Sequence, residues 1–197
     1  MRTVLITVAA AAAMLLAISG ANAHSFNVAL LVGQTGPAAD NADQLRDGFL
    51  LAARERDSHA DEVSDGHLGG LDVYLIPVEG RSDPLASVRA LLDRTRIDVL
   101  AVIGPDALVE TIRPETAGSP MVLLAPGRMA FPNAATPAER AFVETFTAAF
   151  GYAPTQYAAR GYNAARRIDA AVRAQGGVSD RTALHKALKE SEGGFNW

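Results

Sequence analysis

The chain has 197 residues, 49% of them hydrophobic, with no cysteine and a formal net charge of −4. The missing cysteine excludes disulfides, thiolate metal sites and cysteine nucleophiles together. The mild acidity, with Arg residues scattered among Asp and Glu, leaves no basic patch and so argues against nucleic acid as a partner.

The first residues set the compartment. A single Arg2 precedes an almost unbroken Ala, Val, Leu and Ile run over residues 4–18, and Ser19-Gly20-Ala21-Asn22-Ala23 supplies a small-residue exit. This three-part pattern predicts a signal peptide over residues 1–23, cleaved before His24, and hence export to the periplasm. An uncleaved anchor is the alternative, but the apolar run is short for a bilayer span. Residues 24–197 have the size of one domain with a sizeable core.

Residues 27–33 form an apolar run that reads as a strand buried on both faces. Gln34-Thr35-Gly36-Pro37 is a tight turn, after which Asp40 or Asn41 is placed to cap a helix carrying Leu45, Phe49, Ala52 and Ala53 on one face. Residues 59–70 are polar and Gly-containing and read as a surface loop. A second strand follows over residues 71–78. Ser82-Asp83-Pro84 opens the next helix, with Asp83 as cap and Pro84 at the first helical position; Val88, Leu91 and Leu92 form its buried stripe. Residues 97–103 are a third strand, ended by Gly104-Pro105. A helix over 107–116 and a fourth strand over 121–124 come next.

Residues 127–136 read as a linker. Thr136-Pro137-Ala138-Glu139 then carries the signature of a capping box, and Phe142, Phe146 and Phe150 fall on one helical stripe, most simply core. Further helices are predicted over 156–175, ended by Gly176-Gly177, and over 182–190, capped by Ser179 or Asp180.

Strands alternating with helices imply an α/β fold, a doubly wound parallel sheet with helices on both faces. Such sheets bind ligands at the carboxyl ends of their strands. The residues so placed are Thr35, Gly36, Glu79, Arg81, Gly104, Pro105, Asp106, Ala125 and Arg128. Backbone N–H groups after Gly104 can hold an anion. Arg128 is either a carboxylate clamp or a solvated linker residue. Asp106 either meets a ligand ammonium or caps the helix that follows. Glu79 and Arg81 are either ligand contacts or surface charge.

His24 at a mature N-terminus could chelate copper, but His59, His67 and His185 have no ligand spacing, so no metal site is expected; His59 and His67 read as exposed loop residues. No nucleophile–base–orienter arrangement is present, no Walker loop and no GxSxG, so neither catalysis nor a cofactor is expected.

The same residues resemble, in order, the type I periplasmic binding proteins of the branched-chain amino acid ABC transport group. Val28-Ala29-Leu30-Leu31 with Thr35-Gly36-Pro37 is similar to the family's first strand and loop. The segment from Leu45 to Ala53 is similar to its first helix. Ser82-Asp83-Pro84, residues 97–105, Ser119-Pro120 with the strand after it, and Gly161-Tyr162-Asn163-Ala164-Ala165 match later landmarks. The resemblance implies an exported solute-binding component of an ABC-type uptake system. Its ligand would be an amino acid or similar small polar solute, and its partners the permease subunits. It also implies a reduction to one lobe, because residues 127–136 stand where the family inserts its second lobe. Where the family's first lobe offers hydroxyls and amides to its ligand, this chain has Asp106-Ala107-Leu108-Val109. A second reading is therefore a degenerate lobe that binds no small molecule and acts as a periplasmic interaction module, for example as a homodimer. Trp197 is either a final clasp or the mark of a truncated last segment, and the role of Phe195 to Trp197 stays open.

Overall fold

The computed structural model describes residues 25–33, 40–57, 63–78, 83–125 and 133–194. Its centre is a five-stranded sheet. The strands are β1 (Ser25–Val32), β2 (His67–Leu68), β3 (Leu71–Val78), β4 (Val99–Ile103) and β5 (Val122–Leu124). Their spatial order is β2-β3-β1-β4-β5. All pairings are parallel except the short β2–β3 hairpin. The helices are α1 (Ala42–Arg54), α2 (Pro84–Leu92), α3 (Asp106–Thr116), α4 (Pro137–Phe150), α5 (Gln156–Gln175) and α6 (Arg181–Glu190).

Side chains alternate across each strand, and the two faces bury separate clusters. Val28, Leu30, Val99, Ala101 and Leu124 pack with Leu45 and Phe49 of α1, Ile168 and Val172 of α5, and Leu184 and Leu188 of α6. On the opposite face Ala29, Leu31, Leu100, Val102 and Leu123 pack with Val88 of α2 and Val109 and Ile112 of α3. The result is a three-layer α/β/α unit, as the continuous apolar runs of β1 and β4 predict.

α1 and α5 cross at backbone contact. A Cβ at Gly48 would lie 2.0 Å from the Ala158 carbonyl oxygen, and one at Gly161 would lie 1.9 Å from that of Leu45. The stripe of α4 does not join either sheet cluster. Phe142 and Phe146 pack with Leu51 of α1 and Ala158 of α5 in a third cluster, with Phe150 and Tyr162 partly buried against it. The aromatic stripe is core, but of a helix-on-helix layer.

Local signals explain most boundaries. Asp83 accepts the Ala86 N–H at 2.9 Å and Pro84 opens α2. Thr136 and Glu139 form the reciprocal capping box of α4. Asp180 caps α6 through the Ala183 N–H. Asn41 holds the cap position of α1, yet no side-chain cap bond forms there.

Two expectations are corrected. Residues 67–70 are no plain surface loop. Gly69 and Gly70 have φ of 67° and 84°, the pair of positive angles a two-residue hairpin turn needs. This pairs His67 with Asp72. His67 is accordingly no exposed loop residue: its ring bridges Asp57 at 3.0 Å and Asp72 at 2.8 Å, with its side chain only 13% exposed.

Candidate functional site

The topology places a switch point between β1 and β4, since the chain leaves β1 toward β3 on one side and returns to β4 on the other. Crossovers diverge at such a point and leave a crevice beyond the carboxyl ends of the two strands. Here those ends meet closely. The Gly33 N–H donates to the Ile103 carbonyl at 2.9 Å. A Cβ at Gly104 would lie 3.3 Å from the Gly33 Cα and 2.9 Å from a Leu108 methyl. Two glycines therefore let the strand ends touch and leave main chain, not side chain, as the floor of the crevice.

α3 starts from this floor. Pro105 is its N-cap residue and Asp106 its first helical residue, with no side-chain cap bond. Asp106 therefore does not cap the helix, correcting that expectation: it lies one position too far along the chain. Pro105 instead offers its carbonyl to the Leu108 and Val109 N–H groups, at 2.9 and 3.4 Å. The N–H groups of Asp106 and Ala107 have no partner among the described residues and sit at the positive end of the helix dipole. The Asp106 carboxylate, exposed in the first turn, already complements that dipole. Val109 is core and Leu108 lies partly buried against the α2–α3 face, so neither faces a ligand.

Of the nine residues singled out from the sequence, Gly104, Pro105 and Asp106 are brought together at this point. Ala125 lies one strand further out, beyond the Ala101–Leu124 pair. Thr35, Gly36, Glu79, Arg81 and Arg128 lie outside the described residues. Asp83 is a helix cap rather than a ligand group.

The residue that sequence reasoning missed is Arg167. It is buried to 2% exposure on α5. It donates to the Ala125 carbonyl at 2.8 Å, the Leu188 carbonyl at 2.6 Å and the Ser191 hydroxyl at 3.2 Å. Burial holds its pKa below the ordinary arginine value, with the nearby Glu192 charge opposing. Its helical phase is the signal that could have found it: Arg167 sits three residues from Ala164 and four from Ala171, both in the core. Arg167, Arg113, His185 and Lys189 line a cavity of about 250 Å³ beside Leu123 and Ala125.

The remaining buried charges serve the fold. Asp98, 2% exposed, accepts from Arg96, from Arg181 and from the Asn27 N–H at the amino end of the sheet. Asp169 accepts the Gly69 N–H and pairs with Arg173. Asp47 accepts from the Tyr152 hydroxyl and from Arg46. Among the described residues no three His, Asp or Glu side chains gather as a metal cluster. None of their helices is long and apolar enough to cross a membrane.

Comparison with known proteins agrees with this architecture. Residues 92–196, just over half of the chain, match the model of the family described as periplasmic binding protein. An ABC transporter substrate-binding protein from Sphaerobacter thermophilus superposes with a TM-score of 0.57 at 14% identity, over 84% of this chain and 85% of that one. A solved structure from Rhodospirillum rubrum, titled as a branched-chain amino acid ABC transporter, gives 0.53 at 13% identity, over 83% of this chain and 88% of that one. At such identities these structures speak to the fold alone. No curated protein matches the chain. The chain belongs to the periplasmic binding protein family, a family of solute-binding proteins rather than enzymes.

Proposed function

We propose that this protein is the exported solute-binding component of an ABC-type uptake system, working as one α/β lobe in which residues 127–136 stand in place of a second. Its leader, residues 1–23, is removed on export to the periplasm. Its ligand is an amino acid or similar small polar solute, held at the carboxyl ends of the strands and delivered to permease subunits. The observation that carries this reading is the switch point at Gly33 and Gly104, where the Asp106 and Ala107 N–H groups have no partner among the described residues and stand beside an exposed carboxylate. Donors and an acceptor side by side suit the carboxylate and ammonium of an amino acid. Thr35, Gly36, Glu79, Arg81 and Arg128, which lie outside the described residues, are proposed as further ligand contacts on their sequence positions alone.

One lobe covers only one side of a small ligand and forfeits most of the burial that a closing cleft provides. The expected dissociation constant is therefore weak, on the order of 1 mM. Calorimetric titration of residues 24–197 against a library of amino acids tests the reading, with Arg128→Gln as the variant expected to weaken binding. Absence of heat with every amino acid at tens of millimolar, in a protein shown to be folded, would refute it.

A further inference from the structure

The outer edge of β5 carries a feature that the strand-end ledge does not use. In a parallel ladder the N–H and C=O of alternate residues turn to opposite sides of the strand. The Val122 N–H donates to the Asp98 carbonyl at 3.0 Å, so Val122 faces β4. Leu123 and Ala125 therefore turn their main-chain groups to the open edge, where Arg167 takes the Ala125 carbonyl. Leu123, whose amide is turned to this edge by the same alternation, is one of the residues lining the 250 Å³ cavity.

The walls of this cavity are electrically unbalanced. Among the described residues Arg113, Arg167 and Lys189 bring positive charge, and Glu192 brings the one carboxylate. Arg113 also pairs with Glu110, but at the exposed surface. Arg167 differs from its neighbours. A guanidinium has five N–H groups, and three hydrogen bonds are made by this one. Its acceptors are two carbonyls and a hydroxyl, all uncharged. Apart from the nearby Glu192 charge, this buried guanidinium is met by dipoles alone among the described residues, and an anion brought to it gains strongly.

We propose that the cavity is a binding site for a small carboxylate anion, received by the remaining N–H groups of Arg167 and the Leu123 amide, with Arg113 and Lys189 at its mouth. The planar fork of arginine matches a carboxylate face. The volume lies below the range of about 300–1,000 Å³ that holds drug-sized ligands, so the occupant is a short mono- or dicarboxylate. The site is separate from the ledge at Gly33 and Gly104, and stands or falls independently of the reading given for that ledge.

The test is an amide NMR titration of the isotope-labelled protein with succinate, and in a second arm with inorganic phosphate. Arg167 is left intact, because its bonds hold the fold. Succinate is expected to shift the Leu123 and Ala125 amides saturably. The exposed pair Arg113→Gln and Lys189→Gln is expected to weaken that binding about tenfold, and Glu192→Gln to strengthen it. An unmoved Leu123 amide would overturn the proposal, as would unchanged affinity in the double variant or shifts confined to Asp106 and Ala107. Saturable shifts with phosphate and none with succinate would overturn its assignment to carboxylates.

Discussion

Asp98 is the residue on which the amino end of the sheet converges. One of its carboxylate oxygens receives Arg96 at 2.9 Å and Arg181 at 2.6 Å, and the other receives the Asn27 N–H at 3.0 Å. It thereby ties β1, β4 and the first turn of α6. Arg96 and Arg181 still reach solvent, with side chains 66% and 21% exposed, so the main loss on removing Asp98 is the acceptor for the Asn27 N–H. Asp98→Ala is expected to cost about 1–3 kcal/mol and Asp98→Asn less, because an amide oxygen can still take the Asn27 N–H; urea denaturation of both variants measures the order. Two tyrosines make a prediction in pH. Desolvation, then hydrogen bonding to Asp47, raises the pKa of the Tyr152 phenol; desolvation, then Glu55, does the same for Tyr162. A proton held more tightly by the folded state than by the unfolded one stabilises the fold below the ordinary tyrosine pKa of about 10 and is lost as pH rises beyond it. Ultraviolet titration should show two of the four tyrosines ionising late. Replacing both by Phe should flatten the alkaline loss of stability.

At the scale of elements, the crossing of α1 and α5 decides the packing of one whole face. Gly48 and Gly161 let each helix rest on the other's carbonyls, and a methyl group at either would overlap main chain that cannot turn aside. Gly161→Ala is expected to destabilise by about 3 kcal/mol, the upper part of the overpacking range, despite alanine's better helix propensity. A thermal melt that rises instead would refute the contact. The capping box of α4 predicts a smaller effect. Thr136→Ala should cost about 1 kcal/mol by loss of the Glu139 N–H partner, which denaturant titration resolves. This box and the cap at Asp83 were legible from the sequence, and the cap of α6 was narrowed to Ser179 or Asp180, because each depends on residues within one turn of each other. The β2–β3 hairpin was legible too, in its Gly69-Gly70 pair, but the polar residues around it masked the signal. What could not be read is that Gly69 also admits Val172 of α5: a Cβ there would lie 2.3 Å from a Val172 methyl carbon.

For the whole molecule, the two apolar clusters share their strands. Alternate residues of β1, β4 and β5 feed opposite faces, so neither helix layer can leave without exposing the sheet that the other needs. Unfolding should be a single cooperative transition by fluorescence and circular dichroism alike. Two separated transitions would mean that the layers are independent. The sheet also explains how far the candidate site could be read. Placing Gly104, Pro105 and Asp106 at a strand end needs only the alternation of strands and helices.

The apolar runs, turn residues and caps by themselves determined the α/β class, the order of its parallel strands along the chain and the starts of α2 and α4, because these follow from hydrophobic period and neighbouring residues. Only the tertiary structure decided that Gly33 meets Gly104, that Gly48 and Gly161 seat two helices on each other, and that Arg167 guards the outer edge of β5. Those facts depend on contacts between residues 42 to 116 apart in the chain, whose distances no local pattern encodes.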